Sequence, residues 1–297
     1  MTAECIDICV CTYRRPSLTQ TLASIATQNL PTGLSLRIIV ADNDIKDTRR
    51  ASIEADASIL GLDLTYLHAP HRNISIARNA CLVAARNDWM AFIDDDEVAL
   101  PDWITRLLSA RQSADIVFGE SRAIYSDPAT PRWIVTGDFH SNRIAGNDAS
   151  WNGYTANVLI SRRFIATHGL RFVESLGQVG GEDTVFFFEA FRLGAGFRYA
   201  KEAIVTEITP LTRATFSWLA LRRFRSGQIH HIILRRTGRG MFGAFSAAAK
   251  AIVCLSRALL TSLSPGRAVA HVLQGFLHLG VVASALGFAP YREYGGL

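Results

Sequence analysis

Five short apolar runs, Cys5 to Cys11, Leu36 to Ala41, Leu62 to Leu67, Trp89 to Ile93 and Ile116 to Phe118, punctuate the first part of the chain with helical patterns between them. Strands that alternate with helices bury their faces most simply as neighbours in a parallel sheet, the helices covering it. Ser17 to Ala26 follows Arg15-Pro16 and sets Leu18, Leu22 and Ile25 on one face, and Ile74 to Ala85 and Trp103 to Ser113 repeat that spacing. The expected order is β-α-β-α-β-α-β-α-β, an α/β class with a mostly parallel sheet flanked by helices. From Ala123 to Arg163 prolines and glycines break the pattern, which reads as a loop region over a site. Ala156 to Ile160 then reads as a strand, Thr184 to Leu193 as a helix, and Phe197 to Thr206 as a further strand.

The fourth apolar run ends in three consecutive carboxylates, Asp94-Asp95-Asp96. Ligands bind beyond the carboxyl ends of the strands of such sheets. Crowded carboxylates repel one another unless a cation sits among them, and an oxygen-only donor set suits Mg²⁺ or Mn²⁺. An acidic turn capping the next helix is the structural alternative. A second acidic signal, Gly180-Gly181-Glu182-Asp183, favours chemistry. Other strand ends add Thr12-Tyr13-Arg14-Arg15, Asp42-Asn43-Asp44, and His71-Arg72-Asn73 with Arg78-Asn79. Together they offer an aromatic face and acceptors for a base, arginines for phosphates and carboxylates for a metal, which describes a nucleotide site.

The formal net charge of +5 is uneven. From Lys201 onward there are twelve Lys or Arg against three acids, a balance of +9 that leaves −4 for the residues before it. An acidic head and a basic, apolar tail point to a partner rich in phosphate or anionic lipid. The arginines of Thr215 to Arg236 sit in one helical segment with no nucleic-acid module around them, so nucleic acid is not the expected partner. The tail beyond Met241 reads as two helices divided at Ser264-Pro265-Gly266. His271, Gln274 and His278 make a membrane-spanning second helix costly, so interfacial or packed helices are expected. The five cysteines form no zinc spacing and read as reduced core thiols of a cytosolic protein, and Met1 to Asp7 contains no signal-peptide pattern.

Ile8-Cys9-Val10-Cys11-Thr12-Tyr13-Arg14-Arg15-Pro16, Ile39-Val40-Ala41-Asp42-Asn43-Asp44, Ala77-Arg78-Asn79, Phe92-Ile93-Asp94-Asp95-Asp96 and Gly181-Glu182-Asp183 resemble the inverting GT-A glycosyltransferases of family two. The resemblance runs from about Ile6 to Gly227. It is nearest to the bacterial glucosyltransferases of succinoglycan-type exopolysaccharide assembly, through Gly137-Asp138-Phe139-His140-Ser141 and Arg222-Arg223-Phe224-Arg225-Ser226-Gly227. It implies a GT-A domain over residues 1–210, with a nucleotide-sugar half to 122 and an acceptor half from 123, followed by a helical membrane-associated tail over 211–297.

The same resemblance implies that Thr12, Tyr13, Arg14 and Asp42 hold the nucleoside, with Arg78 and Asp95 lining the nucleotide-sugar site. Asp94 would contact ribose or donor sugar, and Asp96 would ligate Mg²⁺ or Mn²⁺. Asp183 would be the general base, Glu182 would position the acceptor, and Arg222 and Arg225 would stabilise the leaving diphosphate. The implied partners are a UDP-sugar donor, a polyprenyl-diphosphate-linked saccharide acceptor and the cytoplasmic surface of the bacterial inner membrane. One departure stands out: many relatives place a metal-site histidine where this chain has Thr206, followed by Glu207. A binding-only scaffold, or a transferase acting on another surface glycan, remains the alternative. A glycoside hydrolase would not need the nucleotide half, and a nucleotidyltransferase would bring a glycine-rich loop that Thr12 to Pro16 lacks.

Overall fold

The computed structural model describes residues 4–143 and 151–289, and the chain divides into two compact units. The first gathers residues 4–122, 141–143 and 151–207; the second gathers 123–140 and 208–289. Part of the expected loop region, 144–150, lies outside the described residues.

The first unit is built on an eight-stranded sheet: β1 (Glu4–Thr12), β2 (Leu34–Asp42), β3 (Leu64–His68), β4 (Trp89–Asp94), β5 (Glu97–Ala99), β6 (Ile116–Ile124), β7 (Asn157–Ser161) and β8 (Phe197–Ile208). Their order across the sheet is β3-β2-β1-β4-β7-β6-β8-β5. The four strands from β3 to β4 are parallel, as the helix-strand alternation predicts. Beyond them β7 runs antiparallel to β4 and β6, and β5 antiparallel to β8. Period-two alternation sorts β1 between two core layers. Ile6, Ile8 and Val10 pack with α1 (Leu18–Ala26) and α4 (Trp103–Ala110), while Cys9 and Cys11 face α3 (Ile74–Ala84). A short α2 (Arg50–Ile59) joins β2 to β3, and α6 (Arg162–His168) follows β7.

In register, Thr12 stands opposite Asp42, Cys11 opposite Asp94, and Asp42 opposite His68. The parallel strands therefore end on one rim. At their other end the fully buried Asp7 accepts from Arg37 Nε at 2.7 Å and from the amides of Arg86 and Asn87. Satisfied on several sides, this buried carboxylate fixes the sheet's floor.

α7 (Glu182–Arg192) is held by its phenylalanines: Phe186 stacks on Phe172 at 4.0 Å, and Phe187 meets Phe118 edge-on at 4.7 Å. The second unit contains α5 (Arg132–Gly137), α8 (Phe216–Arg236), α9 (Gly240–Leu260) and α10 (Pro265–Ala285). Thr215 caps α8, its hydroxyl accepting from the Trp218 amide at 3.2 Å. α8 and α10 pack through glycines: a Cβ on Gly227 would overlap the Leu277 carbonyl oxygen, and one on Gly280 the Phe224 carbonyl. The glycine that ends the Arg222-to-Gly227 motif is thus a packing requirement. All five cysteines are free thiols, and Cys11 Sγ lies 4.0 Å from Cys81 Sγ.

Candidate active site

The rim of the parallel strands collects the first acidic motif. Asp94 ends β4, and the turn through Asp95 and Asp96 leads into β5 rather than capping a helix. The buried Thr12 donates from its hydroxyl to Asp95 Oδ2 at 2.7 Å. Arg15 Nη1 pairs with Asp96 Oδ2 at 3.0 Å, and its Nε lies 3.9 Å from Asp95. Asp42, fully buried, accepts from the Tyr66 hydroxyl and from the Asp44 amide, each at 2.9 Å. Arg14, at a left-handed φ of 55°, forks onto Asp44 at 2.7 and 2.9 Å. The half-exposed Tyr13 ring carries the Arg14 and Arg72 guanidinium groups 5.4 and 5.8 Å from its centroid.

The second acidic motif reaches the same rim through two left-handed glycines. Gly180 and Gly181 have φ of 87° and 83°, angles that a side chain strains to adopt, and α7 starts directly after them with Glu182 and Asp183. α3 anchors the approach. Asn79 exchanges two 2.9 Å bonds with the Phe172 backbone, and Ser75 donates to the Val173 carbonyl at 3.0 Å. The asparagine of the Ala77-Arg78-Asn79 motif is therefore a brace. Beside it the buried Arg78 bonds Glu182 and lies 3.7 Å from Asp94, joining the two acidic motifs.

Electrostatics follow this crowding. Burial pushes Asp94 up to about 6, with Asp96 and Asp183 adding to the rise and Arg78 opposing it. Its side chain is still 43% exposed, so it remains open to a ligand. Burial and Asp96 push Asp95 up to about 7 against the Thr12 hydrogen bond. Glu182 is pushed up to about 7 by burial and Asp183, against Arg78, and its Oε2 has no hydrogen-bond partner among the described residues. Burial also raises Asp183, whose Oδ1 accepts from the Thr184 amide at 2.6 Å. Burial opposes the charge of Arg78, but Glu182, Asp94 and Asp183 outweigh it and hold its pKa up.

Among the described residues no three His, Cys, Asp or Glu side chains converge as a ready-made metal cage. The donor set fits a hard divalent cation of the kind that takes one or two protein carboxylates and completes its shell with substrate phosphates and water. Asp94, Asp95 and Asp96 are packed closely enough to raise one another's charge cost, which such a cation would relieve.

Arg15 and Asp44 belong to the strand-end runs that read from sequence as a nucleotide site, while Glu97 is a group at this rim that the sequence did not single out. Glu97 was hidden because β5 is only three residues long. It is buried, accepts from Ser121 Oγ at 2.6 Å and from the Asp94 amide at 3.2 Å, and is raised by burial and Asp94. Thr206 stands opposite Val98 and donates to its carbonyl at 3.3 Å, while Glu207 stands opposite Glu97. Arg222 and Arg225 belong to α8 in the second unit, where Arg222 lies 5.3 Å from the Trp218 ring centroid, Trp218 itself stacking on His140.

Residues 7–168 match Glycosyl transferase family 2. The chain belongs to that family. It is also 43% identical over 296 residues to the succinoglycan biosynthesis protein ExoM of Rhizobium meliloti (strain 1021), covering 98% of this chain and 96% of the relative. Among solved structures it resembles the mannosyltransferase PcManGT from Pyrobaculum calidifontis in complex with GDP-Man and Mn²⁺, with TM-score 0.63 and 16% identity over 95% of this chain and 87% of the other. It also resembles S. aureus TarS 1-349 in complex with UDP, with TM-score 0.53 and 15% identity over 97% of this chain and 89% of the other. The fold of this family 2 member is therefore GT-A, and the protein is a nucleotide-sugar-dependent glycosyltransferase.

Proposed function

We propose that the protein is an inverting hexosyltransferase of exopolysaccharide synthesis, moving glucose from UDP-glucose to a hydroxyl of a polyprenyl-diphosphate-linked oligosaccharide at the cytoplasmic face of a bacterial inner membrane. The pathway rests on the near-full-length likeness to the succinoglycan biosynthesis protein, and the donor on the resemblance of the sequence motifs to glucosyltransferases. The chemistry rests on one observation: the Gly180-Gly181 turn delivers Asp183 to the rim that carries Asp94, with Arg78 between the two motifs.

Asp183 is the general base in this reading. Its Oδ1 is held by the Thr184 amide, leaving Oδ2 to take the proton of the acceptor hydroxyl. As that oxygen bonds to the anomeric carbon, the bond to the diphosphate breaks on the opposite face and the sugar inverts. Glu182, fixed on Arg78 and adjacent to Asp183, helps to position the acceptor. Asp42, oriented by Tyr66 and the Asp44 amide, and the Thr12-Tyr13-Arg14 turn hold the nucleoside. Asp94 and Asp95 face ribose and donor sugar, and Asp96 would hold the divalent cation. When bound, Mg²⁺ or Mn²⁺ supplies charge neutralisation for the departing diphosphate.

The test is UDP release from a panel of nucleotide sugars with Mg²⁺ or Mn²⁺, with and without bacterial membrane lipid extract. Lipid-stimulated release from UDP-glucose, lost in Asp183→Asn, is the expected result. Release confined to another donor, or unaffected by Asp183→Asn, would overturn the reading.

A further inference from the structure

We propose that α9 lies in the surface layer of an anionic lipid bilayer, parallel to it, with its large apolar side chains among the acyl chains and Lys250 and Arg257 at the headgroups. The packing of α9 is inside out for a water-soluble protein. The residues it buries are small, Ala244, Ala247, Ala251 and Cys254, recurring on one face. The residues it exposes are large: Phe242 is 77% exposed, Phe245 72%, Ile252 66%, Leu259 76% and Leu260 85%. Small residues inward and large apolar residues outward is the packing of helices surrounded by lipid, and an exposed apolar surface of this extent calls for a partner.

Charge decides which partner. At about 100° per residue, Met241, Phe245, Ile252 and Leu259 form one outward stripe that Phe242, Val253 and Leu260 widen on one side, and Lys250 and Arg257, two turns apart, lie about 40–60° beyond that widened edge. That is the layout of an interfacial helix whose cations snorkel to the headgroups. Residues 208–289 carry ten Lys or Arg and no Asp or Glu, complementary to anionic lipid. A second copy would bring the same excess of cations and no opposing charge.

Length does not separate lying from crossing, since α9 and α10 are both long and apolar enough to span. Position does. Lys250 stands at the middle of α9, where a spanning helix would hold it at the bilayer centre. α10 packs tightly against α8 through Gly227 and Gly280, and a crossing α10 would draw the arginines of α8 toward the bilayer with it.

This deepens the membrane placement proposed above and is independent of the reaction. Full-length protein is floated with phosphatidylcholine vesicles and with vesicles enriched in phosphatidylglycerol, without any sugar donor, so failure here leaves the transferase reading standing. Flotation with the anionic vesicles is expected. Phe242→Ser with Phe245→Ser should weaken it at least about tenfold, and Lys250→Gln with Arg257→Gln about thirtyfold, with an unchanged helical circular-dichroism signal showing that both variants fold. Equal flotation with both vesicle types would overturn the proposal. So would resistance of the vesicle-bound protein to alkaline extraction, the mark of a spanning helix. A concentration-dependent dimer without vesicle binding, abolished by the phenylalanine pair, would assign the face to a second copy instead.

Discussion

The two units of this chain solve burial in opposite ways. In the first, β1 hides Ile6, Ile8 and Val10 while its charged neighbours are paired, Asp7 with Arg37 below and Arg78 with Glu182 at the rim. In the second, α9 hides alanines and displays phenylalanines and leucines. The first follows the rule for water, where apolar area goes inside and buried charge needs a partner. The second breaks that rule along α9. The contrast separates a rim of paired charge in one unit from an exposed apolar helix face in the other.

The sharpest way to break this contrast is at the rim. Asp183→Asn should cost about 10²- to 10⁴-fold in transfer rate while leaving UDP affinity nearly unchanged, read by turnover and calorimetry. Arg78→Met comes next. It removes the cation that faces Glu182, Asp94 and Asp183, and should cost about 3–5 kcal/mol of stability in the first unit, seen as a lower denaturation midpoint.

Much of the first unit was legible because its signals are local. The apolar runs became β1 to β4 within a few residues, and the glycine pair before Glu182 announced a turn that only glycine adopts easily. The antiparallel strands were harder: β7 and β6 pair across long sequence separations, and nothing in Ile116 to Phe118 says that β7 will come between it and β4. α2, with Ile53 and Ala57 as its buried residues, gave too thin an apolar stripe to be singled out. At the site, the residue types of both acidic motifs were readable but their bridge was not. Arg78 reads from sequence as a phosphate ligand, and only the fold reveals that its charge is committed to carboxylates. Thr206 likewise reads as a weakened ligand, while its hydroxyl bonds a strand carbonyl.

A smaller effect sharpens the second side of the contrast. Gly227→Ala should force α8 from α10 and lower stability by about 1–3 kcal/mol, with UDP binding retained, because the contact is internal to the second unit. Smallest is a pH effect. Burial raises Asp183 above the usual carboxylate range, and a base works only when deprotonated, so transfer should fall away on acidification earlier than for an ordinary aspartate. The acid limb of kcat/KM against pH checks this, and that limb should disappear from the residual rate of Asp183→Asn.

The central claim is direct displacement at the anomeric carbon with Asp183 as base, and the stereochemistry of the first product tests it most directly. Proton NMR of the glycoside formed in the early turnovers from an α-linked nucleotide sugar should show the β anomer alone. An α-linked product would contradict single displacement and remove Asp183 from the role given to it.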